Sequence, residues 1–214
     1  MDHRTKDKSI IIIVSFYYFR IGLWEGKIQM NSFKVKPVII GEKVLLRPFQ
    51  KEDIPAMEEC LKDTEVLKFT GSSTDFDKNL ITQWYNTRNE QVDRLDLAIV
   101  IKSENTVVGE VVINEYNEAK HSMNFRILIG PKGRNQGFGT EATRLVIDYV
   151  FQNTDLKQIT LGVYAFNPRA KRVYEKIGFI VDSIDEDELE FEGQMVDSFN
   201  MVLARDKWLM STEI

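Results

Sequence analysis

The stretch Gly130-Pro131-Lys132-Gly133-Arg134-Asn135-Gln136-Gly137-Phe138-Gly139-Thr140-Glu141-Ala142 concentrates residue types that handle anions. It follows an alternating apolar run (Met123, Phe125, Ile127, Ile129). It precedes Ala142, Leu145, Val146, Tyr149 and Val150, spaced as one helical face. A glycine-bearing loop between a strand and a helix gathers backbone N–H groups and a helix N-terminus at one point, which favours a phosphate or pyrophosphate. Lys132 and Arg134 add positive charge. A Walker A loop needs Gly-Lys-Ser/Thr at its end, and Phe138-Gly139-Thr140 lacks the lysine. Gly137 to Ala142 does fit GxGxxA, the dinucleotide pattern. Its first glycine, however, lies seven residues past Gly130, and the next strand ends in Asn167 rather than in an acid for a ribose. The bland alternative is an ordinary glycine-bearing helix start.

Two charged stretches flank this loop in chemistry. Arg169, Lys171, Arg172 and Lys176 form a basic helix suited to a nucleotide 3′-phosphate, or simply a solvated face. Between Asp182 and Glu192 there are seven acids and no base: Asp182, Asp185, Glu186, Asp187, Glu188, Glu190 and Glu192. This acidic end attracts a cationic amine, or it keeps an exposed hairpin soluble. The net charge of −5 argues against non-specific nucleic-acid binding. A single cysteine, Cys60, excludes an internal disulfide and a Cys-rich zinc site. With only His3 and His121, a histidine-based metal centre is not expected, and no GxSxG is present.

The elements that must position these groups follow from periodicity. Val44–Arg47 is a strand closed by Pro48. Asp53 and Pro55 open a helix carrying Ile54, Met57, Cys60 and Leu61. A second helix is predicted over about 77–90. Leu95–Ile101 and Val107–Asn114 form a hairpin turning at Ser103-Glu104-Asn105, followed by the strand through Ile129. A helix over about 137–153 precedes the strand Ile159–Ala165. Asn167-Pro168 opens another helix, which ends at Gly178. The last strands are Ile180–Glu190 and Gln194–Ala204. No repeat or second domain is evident.

Arg134-x-x-Gly137-x-Gly139 resembles the pyrophosphate loop (Q/R-x-x-G-x-G/A) of the GNAT N-acetyltransferase superfamily. Asn167-Pro-Arg-Ala170-Lys-Arg-Val-Tyr174-Glu-Lys176-Ile-Gly178-Phe179 is similar to that superfamily's second motif, N-x-x-A-x-x-x-Y-x-K-x-G-F. Leu45-Arg47-Pro48, Glu52-Asp53, Gly137–Ala142 and Gly193-x-x-x-Asp197 resemble its RimJ/RimL-like branch, which often has Ser at the place of Ala170 and an aliphatic residue at that of Tyr174. The resemblance spans about residues 40–208. It implies an α+β (mixed α/β) fold: a mostly antiparallel, twisted mixed sheet of about seven strands, flanked by about four helices and splayed where acetyl-CoA binds.

It also implies an N-acetyltransferase with acetyl-CoA as co-substrate and no metal. The acceptor would be a primary amine, on a ribosomal or other protein N-terminus or on a small cationic molecule. The cofactor contacts implied are Ile127, Leu128 and Ile129 along the pantetheine, then Arg134, Asn135, Gln136, Gly137, Phe138, Gly139 and Thr140 around the pyrophosphate, with Asn167, Arg172 and Tyr174. Acetyl transfer needs a proton acceptor for the ammonium, a donor for the carbonyl oxygen and an acid for sulfur. Tyr174 is the expected acid, and the Leu128 backbone N–H the expected carbonyl donor. Glu110, an acid among valines in mid-strand, is the expected base, ahead of Glu115 and Asp197; His121 is expected in solvent. A non-catalytic acyl-CoA-binding sensor or scaffold is the alternative, and the presence of Tyr174 favours the enzyme.

Residues 1–29 differ in character from the rest. Ile10–Phe19 is apolar, but Arg20 ends it after ten residues, where a membrane span needs about 20. Arg4, Lys6 and Lys8 suggest a signal-peptide start, without the small-residue cleavage site. Trp24-Glu25-Gly26 must be encoded by a purine-rich stretch that can contain GGAGG. The expectation is therefore that Met30 is the natural start in a bacterium and that 1–29 is dispensable, an ordered dimer arm and a targeting segment being the alternatives. Residues 30–214 are expected to be one catalytic domain in the cytoplasm, without nucleic-acid or membrane partners, with a homodimer left open.

Overall fold

The computed structural model describes residues 33–72 and 77–212. The expectations on residues 1–29 fall outside them. Eight strands make one sheet: β1 (Ile39–Ile40), β2 (Val44–Arg47), β3 (Leu95–Ile101), β4 (Thr106–Asn117), β5 (Ser122–Ile129), β6 (Gln158–Tyr164), β7 (Ile180–Phe191) and β8 (Gln194–Ala204). Their order is β1-β2-β3-β4-β5-β6-β8-β7. The predicted strands are all present, and the eighth, β1, is a two-residue element too short for any periodicity.

Every pairing is antiparallel except β5 with β6, which is parallel over only Ser122–Asn124 against Gln158–Thr160. Beyond that point the strands part. β5 stays paired to β4 as far as Gly109↔Ile129, and β6 stays paired to β8 as far as Tyr164↔Ser198. A wedge thus opens in mid-sheet between two intact ladders.

Two apolar layers fix this sheet. On one face α4 (Phe138–Asn153) buries Ala142, Val146, Ile147 and Val150 against Leu97, Ile99, Val111, Ile113 and Phe125. Tyr174 of α5 (Pro168–Ile177) joins the same layer. On the other face α1 (Ile54–Leu61), α2 (Thr64–Thr70) and α3 (Lys78–Thr87) bring Met57, Cys60, Val66, Ile81 and Tyr85 over Ala98, Val100 and Leu128. The same strand therefore feeds two cores, with Phe125 on one side and Leu128 on the other, as the period of 2 requires.

Six helices occur among the described residues, two more than expected. The seven-residue α2 is capped by Asp63, whose carboxylate accepts from Val66 N, and by Gly71 at φ 63°. The other addition is α6 (Arg205–Thr212), pinned by a Trp208 Nε1 hydrogen bond of 2.6 Å to Asp148 Oδ1 of α4. Residues 77–90 form α3 followed by a 3-10 turn at Arg88–Glu90.

Candidate functional site

The wedge between β5 and β6 is the mouth of a cleft of about 530 Å³. Its walls are β5, β6, the loop before α4, the start of α5, α2, and the β7–β8 hairpin. It has two chemically distinct ends.

At one end Gly137 caps α4 with φ 82°, a left-handed backbone, and a Cβ placed there meets nothing within 4 Å. The first helical hydrogen bond runs from Glu141 N to Gly137 O at 3.0 Å. The N–H groups of the helix's first residues consequently have no partner within it. Gly139, Thr140, Asn135 and Arg134 line this end with Asn167 and Arg169. Asn167 caps α5, its Oδ1 accepting from Ala170 N at 3.1 Å. The guanidinium of Arg134 is bonded to Asp63 and lies 3.2 Å from Glu65. That arginine holds the Asp63 carboxyl below the usual carboxylate range. Arg169 reaches Asn135 Oδ1 at 2.9 Å and Glu65 at 3.1 Å.

The middle of the cleft runs along β5. Strand residues alternate in the direction of their backbone groups. Gly130 N donates to Val108 O of β4 at 2.8 Å, so with the unbroken register the even residues Leu128 and Arg126 also aim their N–H and C=O at β4. The odd residues face the other way, as the bond from Thr160 Oγ1 to Met123 O confirms. Phe125, Ile127 and Ile129 therefore turn their backbone groups into the wedge, where β6 no longer pairs with them.

Tyr174 lines the cleft opposite this edge. Its ring stands edge-on to Phe125, at 6.2 Å and 85°, and against Phe179 at 6.0 Å. Burial pushes its hydroxyl well above the usual tyrosine range, so it stays protonated at neutral pH.

The far end is lined by Phe69, Thr70, Arg126, Tyr164, Asp185 and Glu188, with Ser198 and Asn200. Asn200 Nδ2 donates to Asp185 Oδ2 at 2.8 Å and to Ser183 Oγ at 3.1 Å, fixing that carboxylate. A register shift between Asp185 and Leu189, with Asp187 at φ 54°, twists β7 at this point. Burial and the neighbouring Glu188 raise the Tyr164 hydroxyl.

Several expected site residues stand elsewhere. The Leu128 N–H points into the β4 ladder, so it is not available to a carbonyl in the cleft, although the residue lines the wall. Glu110 is half-buried under α3, accepts from the Tyr85 hydroxyl at 3.1 Å, and is not part of the cleft wall. Burial, and then the charge of Asp96, raise its carboxyl above the ordinary value. Glu115, Asp197 and His121 are also absent from the wall. Phe138 turns its side chain into the core, Gln136 bends back to Lys132 O at 2.8 Å, and Arg172 is exposed on the outer face of α5. The cationic residue of α5 at the cleft is Arg169 instead.

Sequence reasoning missed Glu65, Phe69 and Thr70, because it assigned no helix to 64–70. The signals were an Asp N-cap and a Gly terminator. It also missed Asn200, which shows as polar only by facing a neighbour strand. Among the described residues no three His, Cys, Asp or Glu side chains cluster to hold a metal ion, and no helix is long and apolar enough to cross a membrane.

The family model "Acetyltransferase (GNAT) domain" matches residues 43–180. The spermidine N(1)-acetyltransferase of Vibrio cholerae is 26% identical over 149 residues, covering 64% of this chain and 86% of that protein. That of Escherichia coli K12 is 25% identical over 178 residues, covering 79% and 90%. The crystal structure of the Vibrio cholerae spermidine N-acetyltransferase in complex with CoA and spermine superposes with a TM-score of 0.72 at 21% identity, covering 79% of this chain and 99% of that one. A GNAT-family acetyltransferase from Bacillus anthracis gives 0.70 at 23% identity, with 79% and 99% coverage.

Proposed function

The chain belongs to the GNAT acetyltransferase family, and from that premise we propose that it moves the acetyl group of acetyl-CoA directly onto the primary amine of a small cationic acceptor. The observation that carries this reading is the wedge itself. An unpaired strand edge leads from a helix N-terminus to a buried tyrosine hydroxyl and on to an acidic wall.

The residues present fit acetyl-CoA. The open space beside Gly137 and the unpartnered N–H groups at the start of α4 accept a pyrophosphate. Phe125, Ile127 and Ile129 offer backbone donors and acceptors to an amide-bearing arm, as a missing strand would use them. Bound there, acetyl-CoA supplies the activated acetyl group. The N–H groups of the odd β5 residues, in place of Leu128, serve the carbonyl oxygen. Tyr174 holds its proton at Oη and delivers it to the departing sulfur.

Asp185 and Glu188 draw in a cationic amine and hold it with its nitrogen towards the wedge. With Glu110 outside the cleft, Glu188 takes its place as the carboxylate that receives the ammonium proton through water. The names of the two spermidine acetyltransferases point the same way. The RimJ/RimL-like motifs suggest a protein N-terminus instead; the wall carries Arg126 beside its two carboxylates, so the choice of a polyamine rests on the relatives' names.

The test follows free thiol release from acetyl-CoA over a panel of monoamines, polyamines, amino sugars and peptides. Polyamines should turn over fastest. Tyr174→Phe should leave acetyl-CoA affinity nearly unchanged and lower kcat by about 100-fold or more, the usual contribution of a positioned acid. No thiol release with any amine would leave a binding module, and full activity in Tyr174→Phe would reduce Tyr174 to packing.

A further inference from the structure

We propose that Glu65 is an internal anion that occupies the phosphate-binding arginines of the cleft and so sets its affinity for phosphate-bearing ligands; this rests on the acetyl-CoA reading above. Glu65 lines the cleft between Arg134 and Arg169. One carboxylate oxygen lies 3.2 Å from Arg134 Nη1 and the other 3.1 Å from Arg169 Nη2. A carboxylate bridging two guanidinium groups has the charge and fork geometry of a phosphate bridging the same pair.

The charges around this point sum to zero. Arg134 and Arg169 are matched by Asp63 and Glu65, so an arriving phosphate meets a neutral quartet rather than a positive patch. The two acids are not equivalent. Asp63 also caps α2 through Val66 N at 3.0 Å, so it is bound into the fold. The Glu65 carboxylate pairs only with the two arginines among the described residues, and its side chain is 38% exposed, against 13% for that of Arg134. Glu65 can leave by rotating its side chain; Asp63 can leave only by uncapping the helix.

The rest of α2 stays in place during such an exchange. Its far end is held by Lys68, whose ammonium lies 5.3 Å and 5.0 Å from the rings of Phe166 and Phe191. Phe69 packs on Phe166 at 6.0 Å. The displaced carboxylate therefore remains close to the cleft and competes again whenever the phosphate leaves. Glu65 lowers the affinity for a pyrophosphate and hastens its release.

The experiment measures binding of coenzyme A, inorganic pyrophosphate and phosphate-free acetyl-pantetheine to the full chain and to Glu65→Gln and Glu65→Ala by calorimetry. Removal of one partly exposed competing charge is expected to tighten coenzyme A and pyrophosphate by about three- to tenfold, the scale of a surface to half-buried ion pair. Acetyl-pantetheine should bind both variants as it binds the parent. In turnover, KM for acetyl-CoA should fall while KM for the amine stays. Weaker coenzyme A binding in both variants would make Glu65 a buttress of the arginines and overturn the proposal, as would equal changes for acetyl-pantetheine. Failure of coenzyme A to bind the parent chain at all would instead overturn the functional reading on which the proposal rests.

Discussion

The two ends of the cleft are built from different materials. The anion end is made mainly of backbone: a left-handed glycine, a helix start and the unpaired edge of β5. The cation end is made of side chains on the β7–β8 hairpin, Asp185 and Glu188, steadied by Asn200. Backbone groups are the same whatever residue bears them, so the first end fixes one ligand and tolerates little variation in shape. Side-chain carboxylates on an edge hairpin change with single substitutions. Substitutions that retune the choice of amine are therefore expected at the second end.

The largest expected effect tests the backbone end. Gly137→Val has room for its side chain but must adopt φ 82°, at a cost of about 1–2 kcal/mol. The protein should still fold, with Tm lower by a few degrees. Affinity for acetyl-CoA should drop by about 100-fold or more in a direct binding assay, because the added carbons fill the space needed for close approach to the helix N-terminus. Unchanged binding would detach the anion end from α4.

An intermediate effect tests the side-chain end. Asp185→Asn combined with Glu188→Gln should raise KM for spermidine by about tenfold at low ionic strength, less in high salt, and barely change acetyl-CoA affinity. An equal rise for a neutral amine would show that the hairpin shapes the cleft rather than attracting charge.

The smallest effect concerns Glu110, outside both ends. Its carboxyl is raised in the folded chain, so folding favours its protonated form. That contribution is fully present below the ordinary glutamate value and is lost as pH rises through the folded value. Glu110→Gln should therefore gain slightly in Tm relative to the parent at pH 8 and not at pH 4, with turnover within about threefold of the parent if it is no catalytic base. A large loss of turnover, greatest at low pH, would return Glu110 to the chemistry.

Much of this architecture was legible in the residues. The apolar run Leu95–Ile101, the alternation in Met123–Ile129, the Asn167-Pro168 start and the Gly178 stop are local signals, and local signals set local structure. The loop that starts α4 was legible for the same reason, since it is contiguous in sequence. The Leu128 assignment failed because a strand's side-chain alternation says which face a residue is on, but its backbone direction depends on the register with β4, fixed by a long-range pairing. The surroundings of Glu110 were hidden for a similar reason. An acid among valines signals an unusual environment, yet Tyr85, which satisfies it, sits on a helix 25 residues away in sequence. Glu65 meets Arg134 across 69 residues, and no spacing rule reaches that far.

The parting of β5 and β6 carries a liability as well as a site. An unpaired run of backbone donors and acceptors is a template for any extended chain, and proteins usually protect such rows at the margins of a sheet. Here the row lies inside the molecule, beside Ile127 and Ile129, where a strand from another copy could insert. A bound arm that takes up these groups acts as a plug against self-association, and by mass action it also stabilises the native state. Preparations depleted of acetyl-CoA should accordingly aggregate sooner on storage or warming than the same protein kept with it.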